Sequence, residues 1–242
     1  MIKIYRKEII IILVLLPVFL VLTLYALILV KYYIEFNQSN YGEASGNNYV
    51  KTFFNKGNVG EFKIFRLFEQ INVTSKIMTN LYIPKSNGQT TEIDTVFICC
   101  WGIFVIESKN YSGWIYGNEK QRQWTQTFKN GQKFKFFNPI WQNSGHITAL
   151  KEALRLSDDQ LYRSLIVFSD HSTLKKIDYN KQTATVLYRT QLKRYVKSVI
   201  QSSPPVLQKE HVEAVAQRLS SYQRVNSSTK QRHIDQVKQK QL

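Results

Sequence analysis

Cysteine is nearly missing: the 242-residue chain holds two, Cys99 and Cys100, side by side in an apolar run. Neighbouring residues of an extended strand point to opposite faces, so a disulfide between them would be strained. That excludes a disulfide framework and leaves a cysteine-based zinc site without a ligand set; the pair reads as two small buried hydrophobes. Acidic residues are also scarce, 17 against 33 lysines and arginines, which gives a formal charge of +16. Such a surplus points to a polyanionic partner, either nucleic acid or an anionic membrane surface, without choosing between them. No internal repeat is present. Apolar residues are not in deficit: 43% hydrophobic and 13% aromatic content suffices for a core and excludes a generically disordered chain.

One stretch lacks charge altogether. Residues 9–30 read IIIILVLLPVFLVLTLYALILV, and as a helix they rise roughly 33 Å, about the thickness of a hydrocarbon core. A secretory signal would have an apolar stretch of only about 7–15 residues and a small-residue cleavage site, and no such site follows. The segment is expected to be an uncleaved transmembrane helix, with Pro17 tolerated as a kink. Lys3, Arg6 and Lys7 crowd the short flank at 1–8, while the other side offers only Lys31 before Lys51. The positive-inside bias places the N-terminus in the cytoplasm and the rest outside, as a single-pass protein of the cell membrane.

Residues 31–50, rich in Asn, Ser and Gly, read as a juxtamembrane linker. A domain is expected over 51–200, followed by a helical, basic and polar tail at 201–242 whose end is mobile. The segment GNVGEFKIFRLFEQI is helical in period, with Glu61, Ile64, Phe65 and Phe68 on one stripe. Strand-like runs follow at 77–83 and 92–99 around a polar turn with Asn87-Gly88, then at 103–109 after a tight turn at Trp101-Gly102. Shorter strands are expected around Trp114, Trp124 and Phe134. Asn138 and Pro139 suit the cap and first position of a helix running to about Leu156. Residues 165–168 and 184–188 read as strands, and two amphipathic segments near 190–201 and 207–222 are divided by Pro204-Pro205. This order describes an α/β (α+β) domain with a mixed central sheet flanked by helices, preceded by one transmembrane helix.

The chemistry concentrates in EIDTVFICCWGIFVIESKNYSG, residues 92–113. In a hairpin turning near Trp101, opposed residues have index sums of about 201 to 203, so Asp94 lies opposite residues 107 to 109. Glu107 and Lys109 share a face. Both strands are apolar on both faces, hence central and covered, and carboxylates at their ends need a partner. A divalent cation held by Asp94 and Glu107 would serve, and carboxylate oxygens with water and a substrate phosphate suit Mg2+. A salt-bridge cluster in which Lys109 neutralises a carboxylate would leave the same spacing, and spacing alone does not choose. Glu61, a carboxylate on a core-facing stripe, is either a third contributor to a metal or water network or an edge residue paired with Lys63 or Arg66. Gln142 aligns with the small residues Gly145, Ala149 and Ala153, a stripe suited to close packing on a sheet. From there its amide can bind a phosphate oxygen or orient Glu107.

At these residues the chain resembles a known family. GNVGEF (57–62), NLYIP (80–84), EIDTVFI (92–98), GIFVIESKNYSGWIYG (102–117) and NPIWQN (138–143) follow, in order, the blocks of the nuclease-related domain (NERD) family, of the PD-(D/E)XK nuclease superfamily. The resemblance covers about residues 51–170, and 102–117 is its most specific block. It implies a restriction-endonuclease-like fold and a nuclease that processes DNA with Mg2+ or Mn2+ and needs no organic cofactor. By position it implies a first-helix acidic residue at Glu61, a metal-binding aspartate at Asp94, an E-x-K pair at Glu107 and Lys109, and the following helix's glutamine at Gln142. Asp94, Glu107 and Glu61 are the implied metal ligands. The family often has Gln and His where this chain has Glu92 and Thr95, which unsettles the surroundings of the site but not its carboxylates. A non-catalytic, membrane-tethered nucleic-acid-binding module and a scaffold on anionic lipid are the competing expectations.

Overall fold

The computed structural model describes residues 2–239, with side chains described for residue 13 and for 15–236; those of Lys3, Arg6 and Lys7 lie outside this range. Helix α1 (Ile2–Asn37) is one continuous rod, and its portion Leu15–Asn37 is long and apolar enough to cross a membrane, its side chains from Leu15 to Val30 uncovered by protein. Pro17 sits inside it. Where a linker was expected, α1 continues to Asn37 and two short helices follow, α2 (Tyr41–Ser45) and α3 (Tyr49–Phe53). Asn48 caps α3 by accepting from the Lys51 amide. Helix α4 (Lys56–Glu69) is capped by Asn55 and buries Phe62, Ile64, Phe65 and Phe68.

Strands β1 (Ser75–Pro84), β2 (Thr90–Cys99) and β3 (Gly102–Lys109) form an antiparallel meander. Gly102 makes the β2–β3 turn at φ 125°, and a Cβ there would lie 2.8 Å from the Leu161 carbonyl oxygen, so only glycine fits. The register pairs Val96 with Val105 and Thr95 with Ile106, an index sum of 201. Parallel to β3 runs β7 (Tyr162–Phe168), and parallel to β7 runs β9 (Thr185–Tyr188), completing a five-stranded mixed sheet in the order β1-β2-β3-β7-β9.

Helices cover both faces, as the two-sided apolar runs require. On one face Val96, Ile98, Ile103 and Val105 pack against α5 (Pro139–Leu154) and α7 (Lys209–Leu219). On the other, Phe97, Phe104 and Ile106 pack against α4 and α6 (Arg189–Ser202), with Phe68 stacked on Phe97 at 4.5 Å. Cys99 is buried on this face, Cys100 is half-buried, and both are free thiols.

A second sheet was not foreseen. Strands β4 (Gly113–Asn118), β5 (Gln123–Thr127), β6 (Lys133–Phe137) and β8 (Ser172–Asp178) form it in the order β6-β5-β4-β8. The β8 segment, STLKKID, is largely exposed and lacks the apolar run that marks a buried strand. Asn138 ties this sheet to α5: its side chain caps Ile140 and donates to the carbonyls of Asn118, Glu119 and Gln121. The chain's end, expected to be helical, basic and polar, forms α8 (Ser227–Gln239) against β2. There the Gln236 side chain accepts from the Thr90 amide, and His233 Nδ1 meets the Thr90 carbonyl oxygen at 2.9 Å.

Candidate active site

Asp94 stands at a break in the sheet. Its neighbours Thr95 and Ile93 pair with Thr79 and Leu81 of β1, but Asp94 and the facing Asn80 are skipped, and Asn80 adopts φ 54°, a left-handed conformation that asparagine tolerates. On its other side the β2–β3 ladder ends at Thr95 and Ile106, one residue before Asp94 would meet Glu107. Asp94 fills the gap with its side chain: Oδ2 accepts from the Ser108 amide at 2.8 Å. Beyond that point β3 continues against β7 alone, as far as Lys109 beside Phe168.

Glu107 and Lys109, two apart on β3, project together. Lys109 Nζ donates to Glu107 Oε1 at 2.5 Å and to Gln142 Oε1 at 3.1 Å. Glu107 is 1% exposed, which makes its surroundings decisive. Its second oxygen, Oε2, lies 2.9 Å from His146 Nε2, and His146 Nδ1 lies 2.9 Å from Thr91 Oγ1. An ionised carboxylate only accepts, so Nε2–H donates to Glu107, and Nδ1 shares a hydrogen bond with the Thr91 hydroxyl. Burial pushes the Glu107 carboxyl up, but Lys109 and His146 outweigh it and hold the group below its ordinary range. Burial opposes the charge on Lys109, and Glu107, Tyr111 and Asp94 more than restore it, raising its proton affinity.

Asp94 behaves in the opposite way. Loss of solvent and the nearby charges of Glu107 and Glu61 raise it well above the usual carboxylate range, against the pull of Lys109 and the Ser108 amide. Glu61 arrives from α4, where Gly60 permits close approach: a Cβ at Gly60 would lie 3.0 Å from Asn110 Cβ and 3.1 Å from Ser108 Oγ. Burial, then the charge of Glu92, raise Glu61 to about 7. Its Oε2 accepts from the Tyr41 hydroxyl at 3.3 Å rather than pairing with Lys63 or Arg66; Arg66 bonds Glu69 instead. Burial and Glu61 together raise the Tyr41 hydroxyl as well. Tyr82 donates to Glu92, and His233 of α8 stands 3.8 Å from the same carboxylate.

All five residues singled out from the sequence therefore surround one end of the central strands. Among the described residues, however, no three His, Cys, Asp or Glu side chains are gathered closely enough to hold a metal ion together. Residues 56–169 match the model of the nuclease-related domain family. These residues are a nuclease-related domain. The family belongs to the PD-(D/E)XK-like nuclease superfamily. An uncharacterised protein of Bacillus anthracis is 35% identical over 145 residues, which is 59% of this chain and 66% of that protein, just under two thirds of its length. No solved structure matches the chain.

Two residues of the nuclease-related domain's site went unnoticed in the sequence. His146 was legible in principle, because Gln142, His146, Ala149 and Ala153 form the helical stripe on the sheet. Gly145, expected in that stripe, turns aside: the nearest atom to a Cβ there would be Lys85 Nζ at 3.7 Å. Tyr41 had no such signal, lying in a segment that reads as linker.

Proposed function

We propose that the protein is a membrane-anchored, divalent-metal-dependent nuclease that hydrolyses phosphodiester bonds in DNA. The observation that carries this reading is the convergence of Asp94, Glu107 and Lys109 at the sheet break, within a nuclease-related domain. The donor set suits Mg2+ or Mn2+: Mg2+ is commonly held by one or two carboxylates, with water and substrate phosphate completing its shell. Asp94 and Glu107 would be those two ligands. Burial first, and then the charges of Glu107 and Glu61, raise the proton affinity of Asp94, and a cation would offset that crowded negative charge. Such a cation lowers the pKa of bound water and polarises a phosphate oxygen.

The protein's own groups supply the rest. His146 and Lys109 fix the two oxygens of Glu107, so its orientation is set before substrate arrives. Lys109, held by Glu107 and Gln142, offers a cation to the charge that builds on phosphate as the water oxygen bonds to phosphorus and the ester oxygen departs. Glu61, its second oxygen bonded to Tyr41, would complete the metal shell or the substrate contacts. Gln142 positions Lys109 or binds a phosphate oxygen. Trp141 precedes Gln142, is exposed and packs edge-on against Phe137 of β6, an edge strand that also carries the exposed Lys133 and Lys135. Such a basic, aromatic edge suits a nucleic-acid strand. Helix α1 anchors the protein as a single-pass span of the cell membrane, with the charge bias placing the domain outside.

The test is cleavage of labelled DNA and RNA by the full chain in Mg2+ or Mn2+, with Lys109→Ala as control. Equal behaviour of the two proteins sinks the catalytic reading. A second reading, a non-catalytic nucleic-acid-binding module, draws on Glu107 having both oxygens bonded within the protein. A binder of that kind retains DNA in chelator and never cuts it.

A further inference from the structure

The uncharged stretch of α1 ends at Val30, and Lys31 is the first charge beyond it. Helix α3 lies alongside that boundary, since the Tyr49 hydroxyl donates to the Leu29 carbonyl oxygen at 3.2 Å. Its ring also meets Tyr33 at 5.4 Å and Phe36 at 5.9 Å, and Phe53 meets Tyr32 at 5.1 Å. Phe36 in turn packs on Phe62 of α4 at 5.8 Å. The last turns of α1, α3 and the domain thus share one aromatic joint. This joint, not a slack tether, sets the height of α3 relative to the end of the apolar span.

The outer side of α3 is apolar in the wrong place for a water-facing surface. Val50 is 58% exposed and Phe54, four residues on and therefore on the same side, is 88% exposed. Lys51 and Lys56 flank them, also exposed. We propose that Val50 and Phe54 insert into the headgroup–acyl boundary of the bilayer that α1 spans, giving the domain a second, interfacial seat on the membrane. The inference rests on the reading of α1 as a membrane anchor. Continuity argues for lipid as the occupant, because the patch begins at the level where the apolar span ends. Tyr32, Tyr33 and Tyr49 supply the ring belt typical of that depth, and Lys31, Lys51 and Lys56 complement anionic headgroups. The seat has a consequence for the site: Tyr41, packed on Phe36 at 6.4 Å in the same joint, donates to Glu61. The orientation of the domain on the membrane and the placing of one site carboxylate are thereby held by one rigid element.

The experiment uses the full chain in vesicles of phosphatidylcholine and phosphatidylglycerol, with the photo-crosslinker p-benzoylphenylalanine in place of Phe54, Leu22 or Phe134, one at a time. Leu22 lies within the span, and Phe134 is an exposed ring on the edge strand of the second sheet. The lipid-adduct yield at 54 is expected within about threefold of that at 22 and about tenfold above that at 134, because transferring a phenylalanine ring out of water is favourable by that order. Adducts at 22 but none at 54, or a crosslinked dimer at 54, overturn the interfacial seat and leave the anchor standing. Lipid adducts at 134 equal to those at 54 overturn it as well, since no one face is then chosen. No adduct at 22 overturns the anchor itself, and the seat falls with it.

Discussion

His146 ties Thr91 to Glu107: its two ring nitrogens lie 2.9 Å from the Thr91 hydroxyl and 2.9 Å from Glu107 Oε2. All three residues are buried, so the orientation of Glu107 is fixed from behind by a strand hydroxyl that substrate never meets. Replacing His146 by alanine leaves two buried oxygens, Glu107 Oε2 and Thr91 Oγ1, without their partner, at about 1–3 kcal/mol each, while Lys109 still holds Glu107 Oε1. We expect a lowered thermal midpoint and, from the loosened ligand, about 10–100-fold more Mg2+ for half-maximal cleavage. His146→Gln keeps a donor toward Glu107 and should recover part of the metal response. Titrating Mg2+ against the cleavage rate, with melting recorded in parallel, separates the two effects.

Lys109 is bonded to both Glu107 and Gln142. Lys109→Ala is expected to reduce the turnover of DNA by roughly 10²–10³-fold, the usual cost of losing a group that faces transition-state charge. Gln142→Ala, which leaves the Glu107 contact in place, should cost less. Single-turnover cleavage of an end-labelled duplex measures both, and a larger loss for Gln142→Ala would reverse the roles assigned to them.

Glu61 has a folded-state pKa of about 7 against 4.5 when unfolded. Because the folded value is raised, its contribution to stability is fully present below about pH 4.5 and is lost as pH rises through 7, a change of up to about 3 kcal/mol. Asp94 is raised too and acts in the same direction. In chelator, Glu61→Gln should therefore be more stable than the parent at pH 8 and about equal to it at pH 4. Urea midpoints of the domain, followed by circular dichroism at the two pH values, test this; a difference that does not change with pH counts against it.

Tyr41 is fully buried and donates to Glu61. Tyr41→Phe keeps its ring packing against Phe62 and Phe65 but removes the bond, which should raise the Glu61 pKa further, since that bond favours the charged form. Cleavage by this variant should therefore need a higher pH than the parent, read from the acid limb of the pH–rate profile. Deletion of residues 1–44 removes Tyr41 altogether, along with Phe36, so it should destabilise the domain as well as the site.

Trp141 belongs to the exposed edge beside Gln142. Trp141→Ala should weaken binding of a single-stranded oligonucleotide by about 1–3 kcal/mol, the worth of one base–aromatic stack, with the thermal midpoint unchanged. Fluorescence anisotropy in chelator, where no cleavage intervenes, reads this directly.

Much of the fold could be read along the chain. The alternation of Val96, Phe97 and Ile98 against Ile103, Phe104 and Val105 marked two central strands covered on both faces, and those residues pack into two separate cores on opposite sides of the sheet. Asn138 and Pro139 marked the start of α5, where the cap is present. Short-range geometry is local chemistry, so it survives in sequence. The second sheet did not show: β8 is polar and pairs with β4 from more than fifty residues away, a relationship carried by backbone hydrogen bonds that any side chain allows. The tail read as helical, but the seat of α8 on β2 did not show, because its contacts there are a few polar bonds rather than an apolar stripe.

The sequence by itself determined the apolar helix, the shared face of Glu107 and Lys109, and the identity of the polar residues placed there, since each depends on residues close along the chain; the hairpin register that brings Asp94 to that face was settled by the fold. Only the tertiary structure decided what those residues touch. The sheet breaks on both sides of Asp94, so its carboxylate takes the Ser108 amide; His146 rather than Gly145 turns toward the sheet; Glu61 bonds to a tyrosine of α2. Each is a contact between segments distant in sequence, and a helical or strand period tells which way a side chain points but not which partner stands there.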